Sequence, residues 1–117
     1  MMSKISKGSA EHYIWGAGND GWHLVKGQEL SVIHERMLPG TSEVRHVHEH
    51  SRQFFFILSG TVTIEVDGEV EELTAHEGIE VPPGVAHQVM NKSEEDVELL
   101  VISQPTSKGD RIEKLLQ

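Results

Sequence analysis

The sequence predicts a single all-β domain, a sandwich or barrel, on three observations: turn signals at near-regular intervals, apolar runs of strand length between them, and one tight-hairpin signature. From Trp22 onward the punctuation is Pro39-Gly40, Ser59-Gly60, Asp67-Gly68, Pro82-Pro83-Gly84 and Asn91-Lys92-Ser93, residue types that preset or tolerate the φ values of turns. At 117 residues the chain fits one folding unit with one core.

Taken in order, residues 1–20 are polar and glycine-containing with two isolated aromatics, Tyr13 and Trp15, which predicts an N-terminal arm that packs one or two anchors over an edge or a neighbour. Residues 21–117 form the β domain. Gln53 to Leu58 is apolar on both faces, Phe54, Phe56 and Leu58 on one and Phe55 and Ile57 on the other, so this strand is to be covered on both sides. Its second apolar face points to a homodimer interface or to an internal sandwich strand.

Thr61 to Val66 and Glu69 to Leu73 read as a hairpin closed by Asp67-Gly68, both of which accept the positive φ of a two-residue turn. Val62, Ile64 and Val66 alternate with Thr61, Thr63 and Glu65, which predicts one wet face. At the end of the chain, Ile112, Leu115 and Leu116 follow Asp110 at helical spacing, which predicts a short C-terminal helix over Asp110 to Gln117 with Asp110 as its cap.

Composition excludes several functions. The formal charge is −9, from 19 acidic against 10 basic side chains, so a phosphate backbone or an anionic membrane surface is repelled. There is no cysteine, hence no disulfide framework, thiolate zinc site or cysteine nucleophile. The N-terminal stretch lacks the apolar core of a signal peptide and no long uncharged apolar run occurs, so a soluble cytoplasmic protein is expected.

Eight histidines matter through their spacing. His46 and His48 are two apart, which on an extended strand puts both imidazoles on one face, within reach of one ion. Gln53 leads into the apolar strand in phase with Phe55 and Ile57, and a buried amide requires a partner. His87 follows the rigid Pro82-Pro83-Gly84 turn, in phase with Val89. Each has a plainer account: a solvated loop for His-x-His, a satisfied core histidine for His87.

Together the residues form two blocks. The first runs Gly40, Thr41 to Arg45, His46, Val47, His48, Glu49 to Arg52, Gln53, Phe54 to Ser59, Gly60; the second runs His76, Glu77 to Val81, Pro82, Pro83, Gly84, Val85, Ala86, His87, Gln88 to Met90, Asn91. Over residues 30–103 or so the chain thereby resembles the cupins, small antiparallel β-barrels with a double-stranded β-helix or jelly-roll architecture. Two positions depart from the family pattern: Gln53 stands where glutamate is usual, and His76 where the second block begins with glycine.

The resemblance implies one divalent ion, Fe, Mn, Ni, Cu or Zn, held inside the barrel by His46, His48, Gln53 and His87. Neutral imidazoles and an oxygen donor suit all five. Loss of the carboxylate charge at Gln53 weakens the site and favours Lewis-acid chemistry over oxidation, and Gln53 either ligates the ion or stands beside a three-histidine site and orients substrate through its N–H. His50 and His76 are expected on the surface. Phe55, Ile57 and Val89 would wall the site, with His34 or Arg36 as a polar contact for an anionic substrate.

The expected function is a mononuclear metalloenzyme acting on a small oxygenated organic molecule, dioxygenase-like or a Lewis-acid isomerase or lyase. The competing expectation is a non-catalytic small-molecule-binding or sensor module.

Overall fold

Alternation of side chains decides where each strand of this protein faces, and the strand Arg52–Ser59 shows it most clearly. In the computed structural model, which describes residues 2–115, Arg52–Ser59 forms a strand in which Gln53, Phe55 and Ile57 are buried while Phe54 is exposed and Phe56 and Leu58 are half-buried. The strands in chain order are β1 (Glu11–Trp15), β2 (Asn19–Lys26), β3 (Ser31–Met37), β4 (His46–His48), β5 (Arg52–Ser59), β6 (Val62–Val66), β7 (Glu69–Leu73), β8 (Gly78–Val81), β9 (His87–Met90), β10 (Val97–Gln104) and β11 (Arg111–Glu113).

They form two antiparallel sheets, one ordered β1-β2-β3-β10-β5-β8 and the other β11-β4-β9-β6-β7. The core lies between them: Met37, Phe55, Ile57, Val62, Ile64, Val89, Val97 and Leu99 are each at most 3% exposed. Among the described residues no ladder joins the two sheets, so the expected barrel is open rather than closed. Its edge strands β8 and β11 have 4 and 3 residues, too few backbone groups to carry a ladder around.

The β6–β7 hairpin turns at Asp67 and Gly68 with φ of 51° and 89°, as two-residue turns of that handedness require. The face of β6 expected to be wet is not: Thr63 and Glu65 are 6% and 3% exposed. Glu65 tolerates this because Arg45 grips it bidentately, Nε donating to Oε1 at 2.6 Å and Nη2 to Oε2 at 3.1 Å. That ion pair, which holds the Glu65 carboxyl below its ordinary range, is what the alternation pattern left out.

The C-terminal helix is not formed. Arg111–Glu113 instead pairs with β4, Arg111 opposite His48 and Glu113 opposite His46; Leu116 and Gln117 lie outside the described residues. A helix of one or two turns nucleates poorly, and Ile112 and Leu115, at 42% and 71% exposed, have no apolar face to bury. Asp110 caps backbone of another kind: its carboxylate accepts from the amides of Glu49, His50 and Ser51 at 3.2, 2.9 and 2.9 Å.

Within residues 1–20, Glu11–Trp15 joins the six-stranded sheet as β1, with Tyr13 opposite Gly21. The Tyr13 ring lies across Gly21 so closely that a side chain there would collide with it, which fixes where the tyrosine goes.

Candidate metal centre

Strand pairing brings the histidines together. His46 and His48 project from the same face of β4, and β9 places His87 directly opposite His46. The ring centroids are 4.5 Å apart for His46 and His87, 4.7 Å for His46 and His48, and 5.7 Å for His48 and His87. One nitrogen from each ring lies within 4.8 Å of the others, and all three residues are buried.

A backbone carbonyl accepts from Nδ1 of each ring: Val44 O for His46 at 2.7 Å, Asp110 O for His48 at 2.8 Å and Val85 O for His87 at 3.0 Å. Each Nδ1 therefore carries the proton, and each Nε2 keeps its lone pair. Burial holds the imidazoles neutral, taking His46 down to about 3 and lowering His48 and His87 as well. Three convergent neutral nitrogen donors with fixed tautomers fit a divalent transition metal.

Gln53 is brought to the same place, from β5. Its amide lies 3.0 Å from His87 Nε2 and 3.0 Å from Ser103 Oγ. A neutral His87 that donates from Nδ1 presents a lone pair at Nε2. Gln53 Nε2 donates to Ser103 Oγ, and its Oε1 faces the His87 Nε2 lone pair, two acceptors that a cation between them would share. Phe55 packs on the His87 ring with centroids 5.7 Å apart, and Val89 is buried behind.

The site opens into two adjoining hollows. The inner one, about 150 Å³, is lined by His46, His48, Gln53, Phe55, Ile33 and Val101 among others. The outer, about 340 Å³, reaches Trp15 and Ser42, and both share Tyr13, Glu35, Glu43 and Arg111. Burial raises Glu35 to about 7, against the pull of Arg111 and the Tyr13 hydroxyl. Burial, with the Glu35 carboxylate adding to it, raises Glu43 to about 8. Glu43 Oε2 lies 4.0 Å from His46 Nε2.

His34 and Arg36, expected as substrate contacts, face the opposite side of β3. There His34 bonds Glu98 at 2.7 Å and Arg36 bonds Asp20 at 2.7 Å. Glu35, between them, is the residue whose parity matches Ile33 and points inward. Glu43, Tyr13 and Arg111 also escaped the sequence argument. Glu43 sits three residues before His46 in what reads as a loop, and Tyr13 and Arg111 arrive from edge strands whose pairing no local pattern announces. His50 and His76 are exposed; His76 has φ of 69°, the conformation for which the glycine of the second block is suited.

Comparison with known proteins agrees with the fold. The family described as "Cupin domain" matches residues 33–103. An uncharacterised protein of Streptomyces coelicolor is 31% identical over 93 residues, 78% of this chain and 88% of its own. Polyketide synthase CurC of Streptomyces cyaneus is 28% identical over 64 residues, 55% of this chain and 42% of its own, so the chain spans less than half of that relative's length. Among solved structures, the polyketide cyclase RemF from Streptomyces resistomycificus superposes with a TM-score of 0.85 over 100% of this chain and 88% of its own, with 17% identity. Among the described residues no helix is long and apolar enough to cross a membrane.

Proposed function

Because the chain belongs to the cupin family, we propose that it is a mononuclear metal-dependent enzyme acting on a small oxygenated organic molecule, with His46, His48 and His87 as ligands and Gln53 beside them. The observation that supports this best is the convergence of three Nε2 lone pairs, each freed by a carbonyl on Nδ1, with His46 and His48 lining the inner hollow.

A divalent ion held there supplies Lewis acidity toward a substrate oxygen. The rest is the work of the chain. Arg111 and the Tyr13 hydroxyl line the cavity as donors for a carboxylate or carbonyl of the substrate. Glu35, poised near neutrality, takes or returns a proton at its carboxylate oxygen, because a group whose pKa lies near the working pH does both. Phe55, Ile33 and Val101 keep bulk water from the inner hollow.

Three imidazoles leave open positions for a substrate oxygen, which suits polarising chemistry, isomerisation or elimination. The match to CurC, a polyketide synthase by name, makes polyketides a sensible part of any substrate panel, next to β-diketones, catechols and hydroxy acids.

The test is metal per chain in protein purified without an affinity tag, before and after loading with Fe, Mn, Ni, Cu or Zn. About one ion per chain, lost in His48→Ala, is expected. Less than a few hundredths of an ion after every loading sinks the proposal. Substrate turnover by the loaded protein, with oxygen uptake recorded alongside, then separates Lewis-acid from dioxygenase chemistry, and binding without turnover would mark the module as non-catalytic.

A further inference from the structure

We infer that Glu43 supplies the negative charge of the metal centre, the charge that the first sequence block places on β5 in most cupins and that Gln53 does not carry. The inference rests on the metal reading above and assigns the charge to a residue of the Thr41 to Arg45 stretch of the first block, where the pattern fixes no ligand.

Four observations support it. Glu43 Oε2 is 4.0 Å from His46 Nε2, the nitrogen left free to ligate. Two donors bonded to one ion at about 2.1 Å each stand roughly 3 to 4 Å apart, so this is a separation that a shared ion spans. Glu43 lines the same inner hollow as His46, His48 and Gln53.

The side chain is also anchored. Oε1 accepts from the Val89 amide at 3.0 Å, the Glu43 amide donates to Val89 O at 3.1 Å, and its carbonyl accepts from Gln88 Nε2 at 2.9 Å. These bonds leave Oε2 facing the histidines. Its side chain is 18% exposed, yet among the described residues no lysine or arginine nitrogen comes within 4.0 Å of it. A carboxylate so placed without a basic partner costs free energy that a dication recovers.

Gln53 donates from Nε2 to Ser103 Oγ and turns Oε1 toward His87 Nε2; as a neutral amide it contributes no charge there, whether or not that oxygen joins the ion. The donor set becomes three imidazoles with one carboxylate drawn from the β3–β4 connection, and a bound dication is left with one net positive charge instead of two.

Competition against a chromogenic chelator, with Co(II) and Zn(II) alone as probes, tests this in the full chain. Glu43→Gln keeps an oxygen for the Val89 amide and removes the charge; metal affinity should fall about 10- to 100-fold, with a shift in the Co(II) visible bands. Glu35→Gln removes the same charge from the shared cavity wall without touching His46, and should change affinity by less than about threefold. The double variant Glu43→Gln with Gln53→Glu should recover wild-type affinity to within about threefold. Unchanged affinity in Glu43→Gln, or an equal loss in Glu35→Gln, overturns the inference while leaving the metal site intact; no binding by wild type overturns both. Should Glu43→Gln fail to fold, Gln53→Glu alone decides. A gain under about threefold means that the charge is already present, and a gain of 10- to 100-fold means that it is not.

Discussion

At the scale of single residues, the metal-free protein carries two sets of displaced acidities that oppose each other. His46, His48 and His87 are lowered by burial, so below about 6.5 the unfolded chain takes up protons that the native site refuses. Their contribution is full above 6.5 and is lost as pH falls. Glu35 and Glu43 are raised by burial to about 7 and about 8; their contribution is full below about 4.5 and is lost as pH rises through those values. The Tm of the metal-free protein should therefore pass through a maximum near pH 6.5. Glu35→Gln should flatten the alkaline side and His46→Gln the acid side; a featureless profile from pH 5 to 8.5 would contradict the assignment. A second residue-scale expectation concerns Gly21. Gly21→Val forces Tyr13 off the sheet and should cost about 1–3 kcal/mol by denaturant titration, with weaker ligand binding because Tyr13 lines both hollows.

At the scale of elements, β11 and its leading residue Asp110 tie down the strand that bears two histidines. The Asp110 carboxylate takes three backbone amides, and its carbonyl holds the Nδ1 proton of His48. Asp110→Ala strands three donors and loosens His48, so a loss of about 1–3 kcal/mol in stability and roughly tenfold in metal affinity is expected from denaturant and chelator titrations. This element is also the one that the sequence misrepresented. Asp110 followed by Ile112 and Leu115 has the local signature of a capped helix, whereas the deciding partners, Glu49 to Ser51, lie some sixty residues earlier. The β6–β7 hairpin was legible because Asp67-Gly68 carries its own geometry. The histidines of β4 and β9 were legible through the resemblance of the two blocks, since alternation and the proline turn taken alone fit a solvated loop and a core histidine as well. Glu65, Glu35 and Glu43 were not: what makes each of them inward is a partner or a strand parity set across the sheets.

At the scale of the whole molecule, the six-stranded sheet leaves an apolar outer strip in which Leu30 is 42% and Phe54 38% exposed, with the Phe54 and Phe56 rings stacked 6.3 Å apart. Ile102 joins Leu30 and Phe54 around a groove on this face, flanked by Arg52 and Glu80, which pair with each other at 3.9 Å, so a twofold partner would meet an apolar strip with a neutralised rim. Light scattering should give a homodimer, and Phe54→Glu should yield a monomer that still binds metal; a monomeric wild type at every accessible concentration would count against it. The core between the sheets answers differently. Ile57, wholly buried at the centre, should cost about 2–5 kcal/mol when truncated to alanine, in a protein whose total stability is of order 5–15 kcal/mol.

The orientation of the three imidazoles is held by main-chain carbonyls of Val44, Val85 and Asp110, and a carbonyl is present whatever side chain a codon specifies. Drift in the sequence can thus exchange Tyr13, Trp15, Ser42 or Arg111, and with them the molecules admitted, without disturbing how the histidines point. Asp110 apart, whose carboxylate also fixes the segment before β5, the nitrogen donors are oriented by main chain while the walls are side chains, which makes this chain a scaffold on which new specificities are reached by few changes.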